Sequence, residues 1–131
     1  MPLLVVARLW LREGARVAEF EAFEREAVAR LAAHGARIER VVRRRGEGEA
    51  GATPKGGRAE DAPFEVHLLS FPSETAFAAW RADPDVRAMA ARREALIART
   101  EVFVGEAYEG YGAPRPDGDG GAGAAAVPAG R

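Results

Sequence analysis

The order in which two hydrophobic periodicities alternate along the chain limits its fold more than any other feature. Residues 3–11 alternate with a period of two, which is typical of a β-strand. Residues 12–35 then carry apolar side chains at helical spacing, and Gly35 supplies a helix stop. Residues 36–45 and the alternating run 64–71 predict two consecutive strands.

The second helical segment begins after Pro72, where Ser73 is placed to cap it. A break is predicted at Asp83-Pro84, because a proline disfavours helical geometry in the residue before it. Residues 99–110 form the last predicted strand. The order β-α-β-β-α-β predicts an α+β fold of the ferredoxin-like type, in which four antiparallel strands carry both helices on one face of the sheet.

Strand alternation divides this sheet into a face under the helices and an open face. In the first strand, the face that we expect under the helices is uniformly apolar and comprises Leu3, Val5, Ala7, Leu9 and Leu11. The open face is also too apolar to stay in water, with Leu4, Val6, Trp10, Leu69 and Phe71. Because two such faces can cover each other across a twofold axis, we expect a homodimer whose two sheets close an α/β barrel.

The length and composition of the chain fit one domain. We place its single hydrophobic core in residues 1–111 of the 131. Residues 46–63 are rich in glycine, alanine and charge, and they predict a long flexible loop that is either merely tolerated or covers a substrate. Residues 112–131 are dominated by glycine, alanine and proline and predict a disordered tail.

The charge balance and the residue types argue against several classes of function. With 19 basic and 20 acidic residues the net charge is −1, which gives no general attraction to nucleic acid or to an anionic membrane. The absence of cysteine excludes disulfides, thiolate catalysis and zinc–sulfur sites. The apolar N-terminal run is broken by Arg8 and lacks signal-peptide features, so we expect a cytoplasmic protein that does not enter a membrane.

A first candidate site lies on the open face, where strand alternation would bring together Arg8, Trp10, Glu65 and His67. The arginine would bind the anion of a small carboxylate, the indole would meet an aromatic ring, and the histidine would move a proton near neutral pH. In the alternative interpretation, Arg8 pairs with Glu65, while His67 and Trp10 pack in the dimer interface.

Further candidates lie on the helices and at their ends. His34 precedes Gly35, and it either hydrogen-bonds the last helical carbonyls or acts as a general acid or base beside Arg37. Trp80 lies on the inward stripe of the second helix, where it is either core or a platform for a ligand ring. Arg93 lies on an apolar stripe and therefore needs an anion, supplied either by a protein carboxylate or by a ligand.

Metal and cofactor sites find little support in the sequence. The two histidines lie on different elements, and the pair Glu65 and His67 would supply only two ligands of one site. The glycine-rich tail follows no strand and opens no helix, so it is not a phosphate-binding motif. We therefore expect no metal and no cofactor. The catalytic candidates are His34, His67 and Arg93, and the ligand-binding candidates are Arg8, Trp10, Arg37 and Trp80.

A combination of short motifs resembles the DUF1330 family of the dimeric α+β barrel superfamily. The motifs are His34-Gly35, Phe71-Pro72-Ser73, Trp80, Asp83-Pro84 and an arginine at Arg92 or Arg93. The resemblance spans roughly residues 3–108 without the long loop, and it implies a ferredoxin-like fold and a homodimer rather than a particular reaction. Wider relatives in the superfamily include monooxygenases and isomerases. The chain departs from the family pattern at Arg81, where an aromatic residue is common, and in its longer loop at 46–63.

Two functional hypotheses from different classes follow. The first is a cofactor-independent enzyme of the isomerase or oxygenase type, acting on a small organic molecule that is a carboxylate or an aromatic. The alternative is a non-catalytic dimeric barrel that binds a small ligand or serves as an assembly module. An acid–base pair that converges in a dry pocket would favour the enzyme.

Overall fold

A computed structural model describes residues 2–46 and 62–112 of the chain. Its elements follow in the order β1 (Leu3–Leu11), α1 (Val17–Ala32), β2 (Arg37–Arg43), β3 (Glu65–Phe71), α2 (Glu74–Ala82), α3 (Pro84–Arg87), α4 (Ala90–Leu96) and β4 (Ile97–Gly105). The predicted α+β fold of the ferredoxin-like type is confirmed, with the second helical segment divided into three pieces.

The four strands of the described chain form one antiparallel sheet in the order β2-β3-β1-β4. The apolar strand β1 lies between β3 and β4, as expected for a strand with few charged side chains. β4 ends at Gly105 rather than at residue 110 as predicted, because Gly105 pairs with Leu4 near the beginning of β1 and no strand of the described residues pairs with the chain beyond it.

The helix boundaries follow the capping residues of the sequence. Ser73 caps α2 by accepting a hydrogen bond from the backbone N–H of Ala76 at 3.1 Å. The predicted break at Asp83-Pro84 is confirmed, and the Asp83 side chain caps α3. Gly35, just beyond α1, has a φ of +76°, and a Cβ there would lie 3.1 Å from Cγ of Pro72.

The hydrophobic core lies between the helices and one face of the sheet. A first buried cluster comprises Val5, Leu31, Ala36, Leu69 and Phe71. A second cluster comprises Leu9, Phe20, Phe23 and Ile97. Each cluster joins strand side chains to α1, so burial of these apolar groups holds the helical layer on the sheet.

The face assignment predicted for β3 was wrong. In the antiparallel pairing Ala7 lies opposite His67 and Leu9 lies opposite Glu65, so these four side chains share one face. That face is the one under the helices, and Leu69 and Phe71 also lie on it. Alternation separates two sets of side chains, but it does not say which set faces the helices. In β3 the set that faces the helices is the one that contains Glu65 and His67.

The open face of the sheet is nevertheless apolar. It carries the side chains of Leu4, Val6, Val42, Val66, Leu68 and Phe103. Phe103 is 68% exposed and Val42 is 60% exposed in the single chain. The prediction that a second copy covers this face remains a prediction.

Parts of the predicted domain organisation lie outside the described residues. The predicted loop at 46–63 and the predicted tail at 112–131 fall almost entirely there, so the domain boundary at residue 111 also stays a prediction. Within residues 2–46 and 62–112, no helix has the length and apolar character needed to span a membrane.

Candidate active site

A cavity of about 550 Å³ lies between the helix-covered face of the sheet and the helical layer. This volume is within the range of about 300–1,000 Å³ that is usual for small-molecule sites. Most of the wall is apolar or aromatic, including Val5, Leu9, Phe23, Leu31, Leu69, Phe71, Phe77, Trp80 and Met89. Its polar wall is smaller and consists of Glu24, Arg30, His67, Arg81, Arg93 and Thr100.

His67 reaches this cavity from the middle of β3 and is fixed by a chain of hydrogen bonds. Its Nε2 lies 2.8 Å from Oε1 of Glu65, and only 5% of His67 and 4% of Glu65 are exposed. The other carboxylate oxygen of Glu65 accepts from Nε of Arg43 at 2.6 Å. Both oxygens of the buried Glu65 carboxylate therefore have partners, and the charge of Arg43 compensates its charge.

This arrangement selects the orientation of the His67 imidazole. A neutral ring bonded to a carboxylate donates through the nitrogen that faces it, which is Nε2. Nδ1 then carries the lone pair, and it makes no hydrogen bond within the described residues. His67 is also a residue of the cavity wall, and Nδ1 is its ring nitrogen without a partner in the described chain.

Glu24 of α1 is a second titratable group on the cavity wall. Burial raises the pKa of Glu24, while the neighbouring charges of His67 and Arg93 act in the opposite direction. The pKa of Glu24 therefore lies above the usual value of a glutamate side chain. Glu24 was not identified from the sequence as a candidate site residue.

A signal for Glu24 was nevertheless present in the sequence. Glu24 is four residues after Phe20 and three before Ala27, and Leu31 follows at the same helical spacing. A carboxylate inside such an apolar stripe is unexpected and indicates a buried polar position.

Arg93 of α4 supplies a cation on the same wall. Its guanidinium donates to Oγ1 of Thr100 on β4 at 2.7 Å. Burial lowers the pKa of Arg93, and Glu24 and Glu94 act to raise it. Within the described residues no carboxylate forms an ion pair with Arg93, so the protein counter-ion considered from the sequence does not lie there.

Trp80 lies in an aromatic group that is both core and cavity wall. Its ring centroid is 5.5 Å from that of Phe71 and 6.2 Å from that of Phe77, which it meets in a stacked orientation. The guanidinium of Arg81 lies 5.6 Å from the Phe77 ring centroid. Both interpretations of Trp80 are compatible with this position, since the half-buried indole packs on the core and also lines the cavity.

His34 and Arg37 lie away from the cavity wall. Nε2 of His34 is 2.7 Å from Oδ2 of Asp83, and this bond joins the end of α1 to the turn between α2 and α3. Arg37 donates to Glu39 on β2. The described contacts therefore hold His34 and Arg37 to different partners, and neither residue lines the cavity.

Arg8 and Trp10 lie on the open face of the sheet, as expected, but without Glu65 and His67. Arg8 pairs with Glu101, so the alternative interpretation in which Arg8 pairs with Glu65 was wrong. The guanidinium of Arg99 lies 3.9 Å from the ring centroid of the buried Trp10. Because the sheet separates them from His67, these two residues and His67 do not form one site.

In the described ranges, 2–46 and 62–112, no three histidine or acidic side chains are grouped so as to hold a metal ion. The Glu65 carboxylate is bound by His67 and by Arg43, and an arginine is not a metal ligand.

The sequence matches no protein-family model and no curated protein. Solved structures with the same fold include SnoaB, a cofactor-independent oxygenase from Streptomyces nogalater, with a TM-score of 0.58 and 19% identity over 82% of this chain and 93% of SnoaB. A dabb family protein with a ferredoxin-like fold from Mesorhizobium loti has a TM-score of 0.56 and 14% identity over 82% of this chain and 97% of its own. A dimeric ferredoxin-like protein of unknown function from Thermobifida fusca has a TM-score of 0.54 and 13% identity over 82% of this chain and 92% of its own. At these identities the likeness establishes the ferredoxin-like fold alone.

Proposed function

We propose that the chain is an enzyme that acts on a small organic molecule in this cavity, with His67 as the group that moves a proton. The observation that carries the proposal is the set of hydrogen-bond contacts of the His67 imidazole. Glu65 fixes Nε2, while Nδ1 has no hydrogen bond in the described part of the chain and belongs to a residue that lines the cavity. A buried, oriented base beside apolar walls is typical of a site for proton transfer.

The step that these groups support is removal of a proton from a carbon next to a carbonyl group. The proton passes to Nδ1 of His67, the electron pair of the broken C–H bond forms a carbon–carbon double bond, and the π pair of the carbonyl group moves to its oxygen. Glu24, whose protonated form is favoured by burial, donates its proton to that oxygen, and the product is the enol. The imidazolium that forms on His67 is stabilised by the Glu65 carboxylate.

The likeness to SnoaB supports the part of the proposal that concerns cofactors. SnoaB is a cofactor-independent oxygenase with the same fold. We propose that the present chain also works without a cofactor, in the manner of the isomerase-type and oxygenase-type barrels. The motifs around Trp80 and Asp83-Pro84 support a DUF1330-like protein, and the composition supports a cytoplasmic location.

The proposal is tested with phenylpyruvate, which combines an aromatic ring, a carboxylate and an acidic C–H next to a ketone. The measurement is deuterium incorporation at C3 in D₂O, followed by NMR. We expect the protein to accelerate exchange by about a hundredfold over buffer, the contribution typical of a positioned base. We expect His67→Gln to lower the rate to that of buffer while binding is retained.

The chain offers a matched control in its only other histidine. His34→Gln removes an imidazole of the same chemistry that lies outside the cavity and bonds to Asp83. We expect this variant to exchange phenylpyruvate at the wild-type rate. Loss of activity in His34→Gln but not in His67→Gln would overturn the assignment. Binding without faster exchange in the wild type would indicate the alternative, a non-catalytic ligand-binding module.

We further propose that the working unit is a homodimer joined through the open faces of two sheets. The support is the apolar character of that face, where Val6, Val42 and Phe103 are not covered by any helix of the described chain. The structural neighbour from Thermobifida fusca is described as dimeric and has the same fold. Native mass spectrometry at micromolar concentration should give twice the chain mass, and a stable monomer would contradict the proposal.

A further inference from the structure

We propose that the molecule bound in the cavity is an organic anion, and that Arg93 pairs with its charged group. This inference rests on the proposed function only in taking the cavity as the binding site. The sequence left the ligand open between a carboxylate and an aromatic. The geometry of the cavity wall points to a molecule that has both an apolar ring system and a negative charge.

Arg93 has an incomplete set of hydrogen-bond partners within the described residues. A guanidinium has five N–H donors, and the described chain supplies one side-chain acceptor, Oγ1 of Thr100 at 2.7 Å. Glu24 and Glu94 influence Arg93 electrostatically, but within the described residues neither forms an ion pair with it. A half-buried guanidinium without a carboxylate partner is costly unless an anion joins it.

The other cations around the cavity are either paired with a carboxylate or exposed to solvent. Arg30 donates to Oδ2 of Asp85 at 3.1 Å, and Arg81 lies over the ring of Phe77. Arg43, behind the cavity wall, donates to Glu65. Among the described cations near the cavity, Arg93 is therefore the one that is half-buried and has no carboxylate partner, whereas Arg81 is exposed to solvent.

Thr100 fixes the position of the Arg93 guanidinium. Thr100 pairs with Leu9 across β1 and β4, so its side chain lies on the helix-covered face of the sheet. Its hydroxyl accepts one N–H of Arg93 and thereby holds the guanidinium against the cavity. A planar guanidinium held in this way can present two parallel donors to a carboxylate or an enolate.

The titratable and charged groups that face this position come from several elements. They are Glu24 and Arg30 of α1, Glu65 and His67 of β3, Arg81 of α2 and Glu94 of α4. Glu65 is paired with Arg43 and His67, so its charge is compensated. Glu24 is the carboxyl group that would repel a ligand anion when ionised, and burial favours its neutral form.

The experiment compares two probes of nearly equal shape, 1-naphthoate and 1-naphthamide, by isothermal titration calorimetry with the full chain. We expect naphthoate to bind at least about tenfold more tightly than naphthamide, as for a charge-assisted hydrogen-bonded pair in a half-buried site. We expect Arg93→Met to bind the two probes equally, because methionine keeps much of the side-chain volume and removes the charge.

Arg92→Met serves as the matched control, because Arg92 is the preceding residue of the same helix and pairs with Glu26 on the outer surface. It should retain the full preference for naphthoate. Should Arg93→Met fail to fold by circular dichroism, Arg93→Lys decides the question. Lysine keeps the charge and loses the planar fork, so the preference for naphthoate should fall severalfold.

The outcomes separate this inference from the proposed function. Equal affinities for the two probes in the wild type would overturn the anion inference and leave the cavity as a small-molecule site. A preference that survives unchanged in Arg93→Met, or in Arg93→Lys where that variant decides, would also overturn the role of Arg93. Binding of neither probe up to millimolar concentration would contradict both the inference and the proposed function.

Discussion

His67 lies directly opposite Ala7 of the neighbouring strand, and this pairing turns its ring toward the helices. A one-residue change of register would place it on the open face, where sequence reasoning had put it. The same pairing places Glu65 opposite Leu9, so the hydrogen bond between Glu65 and His67 is formed inside the protein. The proposed chemistry depends on this burial, because an exposed pair would be surrounded by water.

Replacing Glu65 tests whether it orients His67. In Glu65→Gln the charge that stabilises the imidazolium is lost, and the amide can present an N–H to Nε2 and select the other tautomer. We expect the exchange rate of phenylpyruvate to fall by roughly a hundredfold or more. Arg43→Gln, which leaves Glu65 in place without its counter-ion, should cause a smaller loss. Unchanged exchange in a folded Glu65→Gln variant would contradict this role.

The pH dependence of stability tests the burial of Glu24. Desolvation raises the pKa of Glu24 in the folded state. The contribution of Glu24 to the free energy of unfolding is therefore most favourable below the pKa of the unfolded chain, about 4.3. This contribution is lost as the pH rises through the folded-state pKa. The melting temperature of Glu24→Gln, measured relative to that of the wild type, should therefore increase as the pH rises from acidic to neutral. A constant difference across this range would show that Glu24 is not buried as described.

Glu26 provides an internal comparison on the same helix, because its pKa is shifted in the opposite direction. The hydrogen bonds from Arg92 lower the pKa of Glu26. Its contribution to stability is therefore present above the unfolded value and is lost as the pH falls through the folded-state pKa. Glu26→Gln should be less stable than the wild type at neutral pH and equal to it in acid. The same pH trend in both variants would contradict these assignments.

The bond between His34 and Asp83 should stabilise the junction of α1, α2 and α3. The hydrogen bond from His34 is the main reason why the pKa of Asp83 is lowered, and the backbone N–H of Asp85 adds to it. Asp83→Asn should lower the melting temperature at neutral pH, and the difference should vanish as the pH falls through the folded-state pKa of Asp83.

Ser73→Ala removes an uncharged helix cap and is the control for the pH dependence of Asp83→Asn. Ser73 bonds to the backbone N–H of Ala76, and its loss should cost about 1 kcal/mol at every pH. If Asp83→Asn lowers the melting temperature by the same amount at every pH, as Ser73→Ala does, then His34 does not stabilise the ionised carboxylate of Asp83.

The dimer proposal is tested by placing a charge on the open face. Phe103 pairs with Val6 there and is 68% exposed in the single chain. Phe103→Lys should shift the protein from dimer to monomer in native mass spectrometry, because an unpaired ammonium would be buried between two apolar sheets. Val41→Lys places the same charge on the other side of the sheet at an exposed edge position and should remain dimeric. Dimers in both variants would place the interface elsewhere.

Much of the fold follows from the sequence because local physics determines it. The alternation of residues 3–11, the stop at Gly35 and the cap at Ser73 each depend on a few neighbouring residues. The face of β3 could not be obtained in the same way. Glu65 and His67 alternate with Phe64 and Val66, so a rule that turns polar residues outward gives the wrong answer.

The site was harder to predict than the fold because its members meet only in three dimensions. His67 was recognised as a titratable residue, but its partners in the cavity, Glu24 and Arg93, come from α1 and α4. Arg93 was identified from its place on an apolar stripe. Glu24 was missed although it occupies the corresponding kind of position on the first helix. Arg8 and Trp10 were placed on the open face as observed, but their neighbours there are Glu101 and Arg99.

The central claim is that the cavity beside His67 binds a small organic molecule, and the two histidines of the chain allow a direct test. The measurement is the long-range ¹H–¹⁵N spectrum of the imidazole rings during titration with phenylpyruvate. We predict that the signals of His67 shift to saturation while those of His34, held by Asp83 outside the cavity, stay in place. Saturable binding that moves the His34 signals and leaves His67 unchanged, or no binding at millimolar phenylpyruvate, would contradict the account.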